Sequence, residues 1–264
     1  MKTDEELPDL DELVEARFTS AIFRRSVGVL HPDKDAQHYI DDEITEYVRS
    51  LGELTVGWNW YPASPLTVYR AGVKALQLRA AAGLGLRLPP TLISSDLKSI
   101  ASFIGDGPSI VKPLRAQTTT VNGKHRWMGT VPIEKAEDRL RMAPAIYQRR
   151  LSIKSEVRVA VFGPNVYAFE ATHEQSDYRD IKDIADDVVY RPVAFPEAEG
   201  DALRALVSAL GLSFSCADFV LDDDGDWYFL ELNPNGQWYF LQEDSGVDLM
   251  DTFCAIQHFV SESA

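Results

Sequence analysis

Two acids and an amide near the end of the chain have the spacing to meet across a strand pair. In SCADFVLDDDGDWYFLELN, residues 215–233, Asp224-Gly225 is the dipeptide that favours a two-residue hairpin turn. With that turn, Asp218 falls opposite Glu231 and Cys216 opposite Asn233. Side chains alternate along a strand, so Asp218, Glu231 and Asn233 share one face. The other face reads Ala217, Phe219, Leu221, Tyr228, Leu230 and Leu232, apolar enough to face a core. Like charges opposed across a strand pair are destabilising. A divalent cation would resolve that conflict, and Mg²⁺ takes hard oxygen donors of this kind together with substrate phosphates. The plainer alternative is a pair of partly solvated acids at a sheet edge. The run Asp222-Asp223-Asp224-Gly225-Asp226 lacks the ligand spacing of a calcium loop and reads as a solvated turn.

A second constellation is cationic. In IKSEVRVAVFG, Lys154, Glu156 and Arg158 alternate with Ser155, Val157 and Val159, which puts the three charges on one face. Such a face can be an ordinary outward one with salt bridges. It can also meet a nucleotide, the glutamate accepting from ribose hydroxyls and the cations meeting phosphate. Lys112 closes the short apolar strand SIVKP, where a lysine commonly snorkels. Lys74 falls in the middle of a long predicted helix, a routine place for a surface lysine. The five histidines show no HxxH spacing, and only His173 follows a charged hairpin. Neither a GxSxG elbow, a phosphate-binding GxxxxGK[ST] loop nor a GxGxxG turn occurs.

The elements that must carry these residues can be read in order. A short strand is expected within 20–30 and a helix over 36–51, followed by an aromatic loop, VGWNWYPASP. Ser64-Pro65 opens a helix as N-cap and first residue, and the pattern runs on to Gly83 and Gly85. LPPT reads as a connector and SSDLKSIASFIG as a capped helix ending at Gly105. From residue 109 strands dominate: SIVKP, then a polar loop RAQTTTVNGKH, then RWMGTV, AIYQRR, SEVRVAVF, VYAFEA after the turn GPN, and DVVYRPVAF. A helix over 196–210, the hairpin over 213–233 and a helix from about 246 complete the chain. Paired strands with helices between them predict an α+β fold, not a doubly wound parallel sheet.

Bulk properties narrow the function. Lys plus Arg number 26 against 41 Asp plus Glu, a formal charge of −15, which argues against nonspecific nucleic-acid binding. Apolar residues make up 45% of the chain, enough for a real core. Two cysteines, Cys216 and Cys254, are too few for a disulfide framework and fit a reducing cytoplasm. The acidic N-terminus, with residues 1–12 expected to fray, lacks the apolar stretch of a signal peptide. No run of about 18 apolar residues predicts a membrane span.

The order of pieces resembles a known family. A strand lysine in IVKP, a polar loop, the Gln-containing strand YQRRL, the strand EVRV and the hairpin ending LELNPNGQW are similar to the ATP-grasp carboxylate–amine ligases. More narrowly, VKALQLRAAAGLGLRLPPTLISS, KSEVRVAVFG, SDYRD and FLELNPNGQW resemble phrases of the graspetide (microviridin-type) peptide macrocyclases. The resemblance implies two α+β lobes enclosing ATP: a shortened N-terminal region over 1–63, then an ATP-grasp domain over 64–264, divided into 64–147 and 148–264. It implies that Lys74 and Lys112 touch ATP, and that Gln148, Arg149, Arg150 and Leu151 form the adenine hinge, largely through backbone. Glu156 would hold the ribose, Arg158 and Arg179 would contact phosphate or an acyl-phosphate, and Asp218, Glu231 and Asn233 would bind Mg²⁺. The implied activity is ATP-dependent joining of a precursor peptide's Asp or Glu side chain to its own Thr, Ser or Lys, with neither nucleic acid nor membrane as partner. A homodimer stays open. So do a small-molecule or protein-tail ligase and a nucleotide-binding protein without turnover.

Overall fold

The computed structural model describes residues 20–22, 34–114, 117–121, 124–128, 130–133, 143–172 and 188–261. Its framework is a five-stranded antiparallel sheet in which amphipathic strands alternate apolar and polar faces. The strands are β9 (Ile153–Phe162), β10 (Asn165–Thr172), β11 (Val189–Pro192), β12 (Phe214–Asp222) and β13 (Trp227–Asn233), in the order β11-β10-β9-β12-β13. One face is mainly apolar at the centre of the sheet, with Ser155 and Ser215 as buried polar exceptions. Val157, Val159 and Val161 of β9 and Ala217, Phe219, Phe229 and Leu232 of the hairpin pack there against Leu203, Leu206 and Val207. Those three leucine and valine positions repeat at helical spacing on α5 (Glu197–Ala209). Each such side chain contributes about 1.5–3 kcal/mol by leaving water.

The opposite face changes character along its strands. At one end Ala160, Phe162, Phe214 and Cys216 are buried under α6 (Tyr239–Ser245) and α7 (Leu249–Ser261), through Leu241, Leu249, Phe253 and Ile256. At the other end the same face carries Glu156, Arg158 and Asp218, which are only part-covered. One sheet face is therefore core at one end and charged surface at the other.

A smaller antiparallel sheet holds β3 (Thr91–Ser94), β4 (Ser109–Lys112), β7 (Val131–Pro132) and β8 (Ala145–Arg149), ordered β3-β8-β4-β7. The helix α4 (Leu97–Gly105) covers it, burying Ile100 against Val111 and Tyr147. Asp96 caps α4, its Oδ2 accepting from the Ser99 amide at 2.8 Å. Two strands, β5 (Gln117–Val121) and β6 (Lys124–Met128), pair as a hairpin. Toward the N-terminus lie β1 (Ser20–Ile22), the helix α1 (Lys34–Leu54) and β2 (Asn59–Tyr61), with β1 and β2 parallel. Two helices follow, α2 (Pro65–Ala71) and α3 (Lys74–Gly83).

The α+β architecture agrees with the sequence reading, and five local expectations are corrected. The long helix from Ser64 breaks at Gly72-Val73, a poor helix former followed by a β-branched residue, so Lys74 opens α3 instead of lying mid-helix. The stretch read as a polar loop contains β5, where threonines supply β propensity. The aromatic loop contains β2, and the segment after LPPT contains β3. The C-terminal helical region begins earlier than expected, with α6 before α7. Among the described residues, no helix is long and apolar enough to cross a membrane.

Candidate active site

The hairpin places Asp218 opposite Glu231, Ala217 opposite Leu232 and Cys216 opposite Asn233, the pairing expected from the sequence. Its other half departs from that expectation. Past Asp218, Phe219 pairs with Phe229 and Leu221 with Trp227, leaving Leu230 as a bulge. The loop is longer by one residue: Asp222 bonds Asp226, and Gly225 at φ +87 donates to the Asp222 carbonyl. Asp222 is buried, and its Oδ1 accepts from the amides of Asp224 (3.0 Å) and Asp226 (2.8 Å), so it builds the turn from within. The bulge moves Phe229 into the core, while Tyr228 and Leu230, expected there, remain half-covered. Tyr228 lies beneath the Arg87 guanidinium, 5.6 Å from its ring centroid.

Arg158 of β9 pairs with Asp218 of β12, so three strands line up Arg158, Asp218 and Glu231 in one row. Lys74 extends the row from α3. Its Nζ lies 2.6 Å from Glu231 Oε2, and both side chains are 17% exposed. At the other end Arg158 Nη1 donates to Asp218 Oδ1 at 2.6 Å. Asn233 Nδ2 donates to Asp218 Oδ2 at 3.0 Å, which leaves the amide oxygen as a further hard donor beside the acids. The signs along the row read plus, minus, minus, plus. A metal is therefore not needed to keep two opposed carboxylates folded, a correction to the argument from repulsion. Each acid has its own cation.

Burial is the largest single influence on the Arg158 cation and works against it, but the charge and hydrogen bond of Asp218, together with Cys216 and Tyr190, outweigh it and raise the guanidinium's pKa above its ordinary value. Tyr190 belongs to the same electrostatic neighbourhood. Burial first, then Asp218, push its phenol up to about 12. The sequence offered no signal for Tyr190 beyond its strand position. On β11 it pairs with Ala171 of β10, and its ring packs on Phe240 with centroids 5.1 Å apart. The loop after β13 is held close by necessity. A Cβ on Gly236 would lie 2.6 Å from Cys216 Cβ and 3.0 Å from Arg158 Nη2. Both amide atoms of Asn235 and the Nε of Arg158 are buried without a hydrogen-bond partner among the described residues.

The remaining predicted residues lie elsewhere. Glu156 sits on the row beyond Arg158, opposite Val220. Lys112 ends β4 in the smaller sheet, opposite Ile146 and 8% exposed. Gln148 is buried there, donating to Thr91 Oγ1 at 2.8 Å. The Arg149 side chain turns to the end of α4, donating to the carbonyls of Phe103 and Gly107 and to Ser109 Oγ, and stacks 4.3 Å from the Phe103 ring centroid. The amides of Arg149 and Arg150 bond the carbonyls of Pro90 and Pro108. Past them, Pro108, Arg150, Leu151, Ser152 and Ile153 line a cleft of about 450 Å³ where the chain passes from β8 of the smaller sheet to β9 of the larger. Arg179 and His173 lie outside the described residues. Cys216 is buried and Cys254 exposed.

Gln77 of α3 is a polar residue that sequence reasoning passed over. Only its place among small and apolar helix residues, where a buried amide needs a partner, could have marked it. Among the described residues no three or more His, Cys, Asp or Glu side chains are grouped to hold a metal ion. The donor set at the row is two carboxylates with one amide, which suits a hard cation such as Mg²⁺.

No protein-family model and no curated protein matches the sequence. Solved structures do. A RiPP-associated ATP-grasp ligase of Chryseobacterium gregarium, in complex with ADP and a leader and core peptide, superposes with a TM-score of 0.73 at 20% identity, covering 93% of this chain and 77% of that one. The macrocyclase MdnC of Microcystis aeruginosa MRC, bound with its precursor peptide MdnA, gives 0.73 at 19% identity, over 92% and 78% of the two chains. The ATP-grasp ligase PsnB, complexed with minimal precursor, Mg and ADP, gives 0.63 at 20% identity, over 93% and 78%. The likeness extends along nearly the whole length of this chain, which has the ATP-grasp fold.

Proposed function

We propose that the protein is an ATP-dependent ligase that activates a side-chain carboxylate of a peptide and joins it to a hydroxyl or amine of the same peptide. The observation that carries this reading is the row Lys74–Glu231–Asp218–Arg158, with Asn233 beside it, on a fold shared with peptide-bound ATP-grasp ligases. In it, the two sheets act as lobes around the nucleotide, and residues 64–264 form the ATP-grasp unit. The cleft at Leu151 takes the adenine and Glu156 the ribose. Lys74 and Lys112 meet the phosphates.

Asp218, Glu231 and the amide oxygen of Asn233 would hold Mg²⁺, which neutralises phosphate oxygens when bound. Arg158 sits with its charge held by Asp218, ready to face the negative charge that develops when a carboxylate meets a phosphoryl group. The peptide carboxylate attacks the γ-phosphorus, forming an acyl-phosphate and releasing ADP. The hydroxyl or amine then attacks the acyl carbon and expels phosphate, each new bond removing one water from the peptide overall. The chain's task is positioning and exclusion of solvent water, which would hydrolyse the acyl-phosphate.

The test incubates the protein with ATP, Mg²⁺ and short acidic peptides encoded beside it, followed by mass spectrometry. A peptide lighter by one water per bond is expected, and Glu231→Gln, nearly isosteric, should abolish that product while remaining folded. ATP consumption without any altered peptide would instead favour a small-molecule or protein-tail ligase. Nucleotide binding without turnover would leave a scaffold protein.

A further inference from the structure

Among the described residues, the outer edge of β13 is not capped by another strand. It is covered by α3 and by the chain near Arg87, so its outward backbone groups need partners there. The Phe229 amide donates to the Arg87 carbonyl at 2.9 Å. Leu232 is different: both its amide and its carbonyl are met by one side chain. Gln77 Oε1 accepts from the Leu232 amide at 3.1 Å, and Gln77 Nε2 donates to the Leu232 carbonyl at 2.8 Å. The primary amide has a donor and an acceptor in one plane, as a peptide group does, and it extends the sheet by a single residue's worth of pairing. The second Nε2 proton goes to the Ala71 carbonyl at 2.6 Å. In an unbroken helix that carbonyl would accept from residue 75. The break at Gly72-Val73 releases it, and Gln77 takes it instead. Gln77 is 1% exposed, with none of its hydrogen-bonding capacity left to solvent.

Three fixed points thus converge on one side chain: the end of α2, the first turns of α3 and Leu232, near the end of the site strand away from its hairpin turn. Lys74 lies three residues before Gln77, on the same helix face. Glu231 lies one residue before Leu232. The clamp between Gln77 and Leu232 therefore sets the rotation and the height at which Lys74 reaches Glu231. An apolar residue at 77 would leave the Leu232 amide, the Leu232 carbonyl and the Ala71 carbonyl buried without partners, and α3 would shift to relieve them. We propose that Gln77 is a positioning residue of the nucleotide site, acting through Lys74 and Glu231 and never touching substrate. This inference rests on the reading of the row as the phosphate and metal site.

Binding of MgADP to the full-length protein, measured by calorimetry, tests it. Gln77→Leu is expected to weaken MgADP about 10-fold or more, the usual consequence of removing a residue that orients a ligand-holding group. Lys74→Met should weaken it as well. If Gln77 acts through Lys74, Gln77→Leu should cost nothing further in the Lys74→Met background. Independent, additive losses would overturn the proposal, as would wild-type affinity in a folded Gln77→Leu. Should Gln77→Leu fail to fold, Gln77→Glu carries the test. Burial favours its protonated form, which can accept from the Leu232 amide and donate to one carbonyl. Its MgADP affinity, relative to wild type in the same buffer, should recover in mildly acidic solution and fall in alkaline solution. A pH-independent ratio would overturn the proposal. A wild-type protein that binds no MgADP would instead remove the nucleotide reading on which the inference rests.

Discussion

Gly236→Ala offers a sharp test of how the loop after β13 is held against the charged row. A Cβ there would lie 2.6 Å from Cys216 Cβ and 3.0 Å from both Cys216 Sγ and Arg158 Nη2, where ordinary contact begins at 3.4 Å. Cys216 is fully buried in a central strand, with Phe162-bearing β9 on one side and β13 on the other, so it cannot yield the missing 0.8 Å. Either the loop moves out or the Arg158 head moves aside. Overpacking of this kind costs about 1–3 kcal/mol. In a chain of this size each kcal/mol lowers Tm by roughly 2–4 °C, so a fall of about 2–12 °C is expected by calorimetry or circular dichroism. Arg158 also donates to Asp218 and reaches the Gln237 carbonyl at 3.4 Å. Its displacement should reduce peptide-dependent ATP turnover, by roughly 10²-fold for a misplacement near 1 Å. Cys216→Gly removes both crowding sulfur and carbon. Relative to Cys216→Gly alone, adding Gly236→Ala should then cost little, whereas Cys216→Ser, which keeps the Cβ, should rescue nothing. Equal destabilisation in the wild-type and Cys216→Gly backgrounds would refute the steric argument.

Other changes separate structure from chemistry in the same way. Arg149→Met should cost about 2 kcal/mol in chemical denaturation, because a charged donor leaves the Phe103 and Gly107 carbonyls at the end of α4; unchanged stability would refute that role. Asp222→Ala should lower Tm by loosening the turn whose amides at Asp224 and Asp226 it accepts, and an unaltered Tm would show that the turn holds without it. Folding raises the Tyr190 phenol from 10.0 to about 12, so the neutral form is the one the fold favours. The stabilisation it brings is complete below pH 10 and is lost as pH rises through 12; Tyr190→Phe should flatten that part of the pH–stability curve, and identical slopes in both proteins would refute it.

What could be read from the sequence follows from where polar residues mark the pattern. Asp218 and Glu231 are each flanked by apolar neighbours, so their facing was fixed by parity, and the pairing near them came out as expected. Toward the turn nothing marks parity. Trp227, Tyr228, Phe229 and Leu230 are all apolar or aromatic, and a one-residue slip among them leaves the pattern unchanged, so the bulge at Leu230 was hidden. The aspartate run likewise allows loops of two or three residues. The six charged or amide residues of the hairpin and β9 were placed on their faces because strands reveal faces by alternation; Gln77 was missed because its partners are backbone groups, the two on Leu232 lying 155 residues away, which leave no trace in side-chain spacing.

The same limit explains why repulsion between two acids was a poor guide to what lies between them. Sequence placed Asp218 and Glu231 together but could not place their cations, because Lys74 reaches the row from a helix whose start depends on a break at Gly72-Val73. Once Lys74 and Arg158 stand at the two ends, the row is balanced by the protein itself. A divalent cation bound there does not fill a void left by unmet charge. It competes with Lys74 for Glu231 and with Arg158 and Asn233 for Asp218, and its affinity is the difference between two sets of good contacts. If the row holds metal and nucleotide as proposed, the strength of their binding is set as much by how firmly the flanking cations are held as by the acids, and a residue that never meets the nucleotide, such as Gln77, would tune it.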